Sequence, residues 1–417
     1  MAQHLGSSAP PSIPGRLLTH DDNVDALKAA VAELLQRENL RFPGAQPVSF
    51  ARKHIAELQT REYFMCEKTD GIRCLMYLTF WDNNGVFEPV TILIDRKNNY
   101  YNVTPALRFP YHADYRNPEP FLYGTILDGE LVNDARPDGG RQLIFYIFDC
   151  LAVDSENMCA KTLDKRLGYM NQKMIDPWKN YMRWSKTEPP TEPFVVKEKK
   201  FQSAYHISVM FNDVLPNLKH GNDGLIFTCK GTRYVHGTDN AILKWKPPHE
   251  NTIDFRLRLG EFPLYDPEDG EDDMVPDYEA MPEKFQLLVN HSKNDYRPFQ
   301  HDLEVTPEEW TMFKSLNQRL DGRIIECYRS EDGHWRFKKD DDGTPRWRDD
   351  KTDANHISTV QSVLDSIEDP VTEQDLRNNE ATIRDAVQRM RQEDARVQQE
   401  QVEHAAKKRK FSEANGA

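Results

Sequence analysis

Cys66-Glu67-Lys68-Thr69-Asp70-Gly71-Ile72-Arg73 lies between two apolar runs, Tyr63-Phe64-Met65-Cys66 before it and Cys74-Leu75-Met76-Tyr77-Leu78-Thr79-Phe80 after it. Both runs read as strands. Asp-Gly favours a tight turn, because Gly tolerates positive φ and Asp bonds to nearby backbone. Lys68 is therefore expected at a strand end, on a turn, with Asp70 and Arg73 close by. A lysine in such company can be a covalent nucleophile once its amine has lost a proton. With an ordinary pKa of about 10.4, only about one amine in 10³ is neutral at pH 7. Neighbouring cations or burial raise that fraction. Taken alone, the stretch reads more simply as a surface hairpin, and the rest of the chain has to decide.

The chain has 417 residues, of which 38% are hydrophobic and 29% charged, with a formal net charge of -14. That length allows two or three domains, each with a core. The negative balance makes phosphate binding a matter of a local site, not of a global field. Much of the acidic excess lies in Asp266-Pro267-Glu268-Asp269-Gly270-Glu271-Asp272-Asp273. The cysteines, at 66, 74, 150, 159, 229 and 327, form no Cys-x-x-Cys pair. Neither a disulfide framework nor structural zinc is expected, and a reducing compartment is. No apolar run approaches the roughly 18 residues of a spanning helix. No signal pattern opens the chain, so neither a membrane partner nor secretion is expected.

A first domain is expected over residues 1–248, with the Ser/Pro-rich 1–18 disordered. Asp22 is a candidate cap for a helix whose apolar face holds Val24, Leu27, Val31, Leu34 and Leu35. From 74 to 153 the pattern is mainly strands. One of them, 123–132, is expected to be interrupted by Asp128-Gly129-Glu130; another, 143–153, holds Asp149 in an apolar run. Residues 163–218 read as helix-rich. Asn222-Asp223-Gly224 introduces a strand at 225–229, and Ala241-Ile242-Leu243-Lys244-Trp245-Lys246 is closed by Pro247-Pro248. That Pro-Pro is the expected domain boundary. Short strands at 253–259, 285–290, 324–329 and 334–338 follow, with a helix capped by Thr306-Pro307-Glu308-Glu309 and a closing helix from His356. This second domain, 249–369, suits a small β-barrel such as the OB type. A polar tail, 370–417, is expected to be at most an exposed rod. It ends in Lys407-Lys408-Arg409-Lys410, a cluster suited to import into the nucleus.

Polar clusters recur in these apolar strands, where burial without purpose is costly. Asp128-Gly129-Glu130 offers a carboxylate for a metal or hydroxyl, or only a hairpin turn. Phe148-Asp149 offers an aromatic face. Lys244 and Lys246, two apart, would share one face of a strand, suit a phosphate chain, and repel a charged Lys68. Arg346-Trp347-Arg348-Asp349-Asp350-Lys351 is a dense basic group in the second domain.

Together and in this order, these stretches resemble the covalent nucleotidyltransferases: messenger-RNA capping guanylyltransferases and ATP-dependent polynucleotide ligases. Lys68-x-Asp70-Gly71-x-Arg73 matches the nucleophile motif. Thr69 after the lysine, Phe42-Pro43-Gly44-Ala45-Gln46-Pro47-Val48 ahead of it and Arg348-Asp349-Asp350-Lys351 resemble the capping enzymes, the fungal type above all. The likeness spans about residues 40–368. It implies an α+β fold: a nucleotidyltransferase domain of the ATP-grasp-like ligase and capping kind with antiparallel sheets, then a C-terminal OB-fold β-barrel.

The resemblance implies that Lys68 attacks the α-phosphate of GTP to give lysyl-GMP, which then passes to the 5′-diphosphate end of RNA and forms the GpppN cap. Asp70 and Glu130 would lie around the ribose and metal, and Arg73 and Arg96 near the sugar and phosphates. Phe148 would stack on guanine. Asp223 would hold the metal or orient Lys68. Lys244 and Lys246 would bind the α-phosphate. Asp254 matches a further functional acid, and Arg346, Arg348, Asp350 and Lys351 would meet the β- and γ-phosphates. A divalent metal, Mg²⁺ or Mn²⁺, is implied, with Glu130 and Asp223 as its candidate ligands. A separate RNA 5′-triphosphatase subunit and the phosphorylated C-terminal domain of RNA polymerase II are implied partners. Arg183-Trp184 and Lys197-Glu198-Lys199-Lys200 are candidate contacts for the latter. An ATP-dependent ligase and a non-catalytic OB-type binding module are the competing readings.

Overall fold

A computed structural model describes residues 11–117, 119–186, 193–266, 274–340 and 342–415, with His249 and residues 405–415 described by backbone alone. The chain forms two compact units. One comprises residues up to 48, 53–245 and those from 373 onward; the other comprises 49–52 and 246–372.

In the first unit the run after the Asp-Gly turn becomes the strand Ile72–Asn83, with consecutive residues 74–78 buried. Its side chains alternate between two apolar layers. Cys74, Met76 and Leu78 pack with Leu93, Leu127, Phe145 and Ile147; Leu75 and Tyr77 pack with Ile92, Ile126 and Leu151. A strand covered on both faces is apolar at successive positions, which explains the absence of polar alternation there. It lies at the centre of an eight-stranded sheet, antiparallel to Val86–Asp95 and Thr125–Ala135. Beyond them, Arg141–Val153 pairs with Thr125–Ala135 and takes Val195–Glu198 in parallel. Lys68 belongs to a second, five-stranded sheet: Tyr63–Thr69 pairs with Asn222–Cys229, which pairs with Gly237–Trp245. The Asp70-Gly71 turn therefore carries the chain from one sheet to the other. A Cβ on Gly71 would collide with the carbonyl oxygen of Leu131, so the crossing requires glycine.

Several expectations are corrected. Residues 11–18 are ordered: Arg16–Leu17 pairs with Tyr101 and Asn102, and Leu18 is buried; residues 1–10 lie outside the described ones. The helix is Val24–Leu34, but Asn23, at φ 61°, holds its cap position. Asp22 instead accepts from the backbone and hydroxyl of Thr19. Asp128-Gly129-Glu130 does not break its strand: Thr125–Ala135 is continuous, with a register shift against Arg141–Val153 at Asp128/Gly129. The polarity that suggested a turn reflects side chains that find partners within the sheets.

The second unit is built on a five-stranded antiparallel sheet with the order Asp295–Asp302, Phe285–Ser292, Thr252–Leu259, Ile324–Arg329, Trp335–Phe337. A parallel bridge between Leu303 and Trp335 brings its two edges together, giving a small barrel of the OB type. Ile253, Phe255, Leu257, Leu287, Ile325 and Cys327 fill it. Thr306 accepts from the Glu309 amide at 3.2 Å while Glu309 accepts from the Thr306 amide at 3.1 Å, so the helix Pro307–Ser315 has its capping box. Ile357–Glu368 covers the same core through Val360 and Val363. Asp295–Asp302 was not expected as a strand, because it carries little alternation and contains Pro298. The acidic loop lies outside the described residues over 267–273.

The polar tail is the helix Glu373–Asn415. Its start is not an isolated rod. Leu376 and Ile383 are fully buried and Val387 nearly so. Ser208 donates to Glu380 through its amide, at 3.2 Å, and through its hydroxyl, and Arg391 pairs with Glu62. Side chains 391–404 are exposed throughout, and those of Lys407-Lys408-Arg409-Lys410 lie outside the described residues. Among the described residues no helix is long and apolar enough to cross a membrane. Ile383→Ala is expected to destabilise the first unit by about 2–5 kcal/mol, as for a large core side chain. Urea unfolding followed by intrinsic fluorescence checks this; a free-standing tail would give a change within about 0.5 kcal/mol.

Candidate active site

The pleat sorts the nucleophile strand. Cys66 opposes Ile226, and Ile226 opposes Lys244, so these three share a face; Lys68, two residues from Cys66, shares it too. Glu67 and Thr69 point the other way. The Lys68 side chain is about a quarter exposed, and its Nζ donates to Asp223 Oδ1 at 2.6 Å. Asp223 reaches it because the Asn222–Cys229 strand has a register shift between Asn222 and Leu225. The charged group bonded to Lys68 is thus the carboxylate of Asp223, the acid that the family resemblance offers to hold the metal or orient the lysine.

Glu130, on the eight-stranded sheet, contributes the second acid. Burial pushes its carboxyl above the ordinary value; Lys199, Lys68 and Arg96 pull it partly back, and Asp223 adds to the rise. Glu130, Lys68, Arg96, Asp223 and Lys199 therefore share one electrostatic neighbourhood. Arg96 is exposed just past the end of Val86–Asp95, and Asp70 is exposed on the turn, with its amide bonded to Gly221 O at 3.1 Å.

Arg73 faces inward. Its Nε and Nη2 donate to the two oxygens of Asp128 at 2.9 and 2.6 Å, and its Nη1 donates to Ala45 O. Tyr234 donates to the same Asp128 at 2.6 Å and accepts from the Ala45 amide at 2.9 Å. The Arg73 guanidinium lies 5.5 Å from the centre of the half-buried Phe148 ring. Asp149, beside Phe148, is held by both Nε and Nη2 of Arg166, so it belongs to the core and not to a ligand.

Residues that the sequence did not assign to the site lie beneath Lys68. Lys199, offered as a surface contact, is buried and donates to Thr69 Oγ1, with Glu67 at 3.6 Å. Burial pulls its ammonium down, and Cys66, Glu67 and Glu130 outweigh that, leaving it above the ordinary value. His220 is also buried, with Nδ1 at 2.7 Å from Asp134, which also accepts from Tyr146 at 2.7 Å. Lys199 sits among Lys197, Glu198 and Lys200, all charged, so the sequence held no periodic signal for its burial. Trp184, another of the candidate contacts, is exposed at a helix end.

The remaining expected residues belong to the second unit. Gly237–Trp245 ends before Lys246, so the two lysines are not both strand residues; Lys246 Nζ lies 3.5 Å from Glu250 O. Asp254 is buried and paired with Lys351 and with Arg348, the latter at 3.2 Å. Arg348 also grips Asp350 at 3.0 and 2.9 Å, and Arg346 pairs with Asp340 at 2.7 Å.

A partly exposed lysine held by one acid, a second acid whose rise would be relieved by a cation, and further cations around them suit an electrophile with several negative oxygens. With the two-sheet unit and the barrel, they define a nucleotidyltransferase. Residues 10–248 match the mRNA capping enzyme catalytic domain and residues 250–377 the mRNA capping enzyme C-terminal domain. The chain belongs to the mRNA capping enzyme family and is an mRNA guanylyltransferase with GTP as its substrate. It is 45% identical to the mRNA-capping enzyme subunit alpha of Schizosaccharomyces pombe, over 90% of this chain and 88% of that protein. It is 44% identical to that of Yarrowia lipolytica, over 88% of each. The ATP-dependent DNA ligase of bacteriophage T7 with ATP is similar at a TM-score of 0.31 and 13% identity, covering 70% of this chain and 96% of that one, a likeness too slight to bear on the assignment.

Two outcomes follow from the buried acids. Asp128→Ala leaves a buried guanidinium without its carboxylate and is expected to cost about 3–5 kcal/mol in urea unfolding. Burial pushes the Asp134 carboxyl up, but the hydrogen bonds from His220 and Tyr146 outweigh it and hold it below its ordinary value. Its contribution to stability is therefore present above the unfolded carboxylate pKa of about 3.9 and is lost as pH falls through the lower folded value. Unfolding free energies measured from about pH 5 downward should fall less steeply for Asp134→Asn than for the parent.

Proposed function

We propose that Lys68 is the nucleophile of guanylyl transfer. The observation that carries this is the convergence of Lys68, Asp223 and Glu130 from two sheets, with Lys244 on the same face as Lys68. In the first step the Lys68 amine forms a bond to the α-phosphorus of GTP, the bond to the β-phosphate oxygen breaks, and pyrophosphate leaves. Asp223, in contact with the Nζ proton, is placed to hold it. In the second step the terminal phosphate oxygen of a 5′-diphosphate RNA attacks the same phosphorus. The N–P bond breaks, the amine recovers its proton, and the GpppN cap is formed.

Lys244 faces the α-phosphate oxygens in this reading, Arg96 and Asp70 lie toward the sugar, and Phe148 offers its ring to guanine. Arg73 acts through Phe148 and Asp128 rather than on phosphate. From the family resemblance, Lys246 is assigned with Lys244 to the α-phosphate, Asp254 is a further functional acid, and Arg346, Arg348, Asp350 and Lys351 are assigned to the β- and γ-phosphates. Phosphate would have to replace the carboxylates that now hold Arg348 and Lys351.

Among the described residues no group of three or more His, Cys, Asp or Glu side chains could hold a metal ion. Two carboxylates, Glu130 and Asp223, do fit an Mg²⁺ or Mn²⁺ ion that arrives with the nucleotide and keeps phosphate and water oxygens as its other ligands. Such an ion neutralises phosphate charge when bound. The name of the Schizosaccharomyces pombe relative, a subunit alpha, supports a partner subunit, which we assign as a separate RNA 5′-triphosphatase. The phosphorylated C-terminal domain of RNA polymerase II is the proposed docking partner and the nucleus the proposed location, supported by Lys407-Lys408-Arg409-Lys410.

Incubation with α-labelled GTP and Mg²⁺ should leave label on the protein in an acid-labile bond, with ATP giving none. Lys68→Ala should lower the yield by about 10³-fold or more. Full labelling of Lys68→Ala would end this reading, and labelling by ATP alone would favour a ligase.

A further inference from the structure

Residues 219–221 stitch the two sheets together directly beneath the Lys68 strand. The Lys219 carbonyl accepts from the Ala135 amide at 2.7 Å, on the eight-stranded sheet. The Gly221 carbonyl accepts from the Asp70 amide at 3.1 Å, on the turn that follows Lys68. Between them the His220 ring is buried, with Nδ1 at 2.7 Å from Asp134 Oδ1. Asp134 accepts, so Nδ1 donates. The other face of the ring has no hydrogen bond: Nε2 is buried without a partner and lies 3.9 Å from Glu67 Oε1. Tyr146, which shares Asp134, packs its ring 5.3 Å from the imidazole.

A buried imidazole that makes one bond, and leaves the other nitrogen unpaired, costs more than an apolar side chain of similar size would. What the bond fixes is the path of the chain. Two residues after Gly221 comes Asp223, whose carboxylate sets the Lys68 ammonium, at a point where the strand shifts register against its neighbour.

Resting on the reading of Lys68 as nucleophile, the geometry points to His220 as a positioning residue: its bond to Asp134 holds segment 219–223 so that Asp223 presents Lys68 to the α-phosphate. His220 touches neither Lys68 nor, in this assignment, the nucleotide. Its loss should therefore slow formation of enzyme-bound GMP without weakening the binding of GTP. Misplacing a reacting group by about 1 Å can cost on the order of 10²-fold in rate.

The test compares two amide replacements in the full chain. Asn places a donor close to where Nδ1 stands, whereas Gln moves it one bond outward at similar polarity. Single-turnover labelling with GTP and Mg²⁺ is followed across GTP concentrations, and thermal unfolding shows that each variant is folded. His220→Gln is expected to lower the saturating labelling rate by about 10- to 100-fold, with the half-saturating GTP concentration changed by less than about twofold. His220→Asn is expected to return the rate to within about threefold of the parent. Equal rates for the two variants, or a defect only in the half-saturating GTP concentration, overturns the assignment. The parent and Lys68→Ala are labelled alongside. A parent that takes no label overturns the nucleophile reading and the positioning role of His220 with it; a labelled parent and an undiminished His220→Gln overturn the positioning role alone.

Discussion

The buried assembly of Arg73, Asp128, Tyr234 and the Ala45 backbone is the constraint on which the catalytic unit depends. Arg73 and Asp128 sit on adjacent strands of the eight-stranded sheet. Ala45 begins a strand of the five-stranded sheet, and Tyr234 lies between two others. Taking a guanidinium and a carboxylate out of water costs several kcal/mol per ion unless nearly every donor and acceptor is matched. Here both carboxylate oxygens are occupied, one of them twice, and all three guanidinium nitrogens donate. That matching holds only at one spacing of the two sheets, so an apolar core that would tolerate sliding is given a fixed register.

The same constraint settles the charge of the site. With Arg73 and Asp128 absorbed by each other, Lys68, Arg96 and Lys199 stand against Glu130 and Asp223 in one neighbourhood of mixed charge. Preorganised groups of this kind act most strongly where water is scarce, and Glu130, pushed up by burial, stands in such a place.

Much of this was legible in the sequence. The strand, turn and strand around Lys68 followed from two apolar runs and an Asp-Gly pair, and the Thr306 capping box is formed as its spacing required. What misled was local polarity. Asp128-Gly129-Glu130 has the composition of a turn, yet it runs through a continuous strand because its acids meet Arg73, Tyr234 and the Lys68 neighbourhood from distant parts of the chain. Lys199 looked solvated among charged neighbours, and only the fold shows Glu67, Thr69 and Glu130 around it. Contacts between residues more than a hundred positions apart, such as Lys68 and Asp223, leave no periodicity to read.

The return of the C-terminal helix to the first unit makes that unit discontinuous in sequence. Pro247-Pro248 marks where the chain leaves it, and Leu376, Ile383 and Val387 mark where the chain comes back. The boundary is therefore a place of exit and not a place to cut. A chain ended at Pro248 would contain every residue assigned to the chemistry of Lys68 in the first unit. It would also lay bare the apolar bed around residues 207–214 on which the returning helix rests. The second unit occupies the position of an insertion, and the order in which the units can fold is not the order in which they are synthesised.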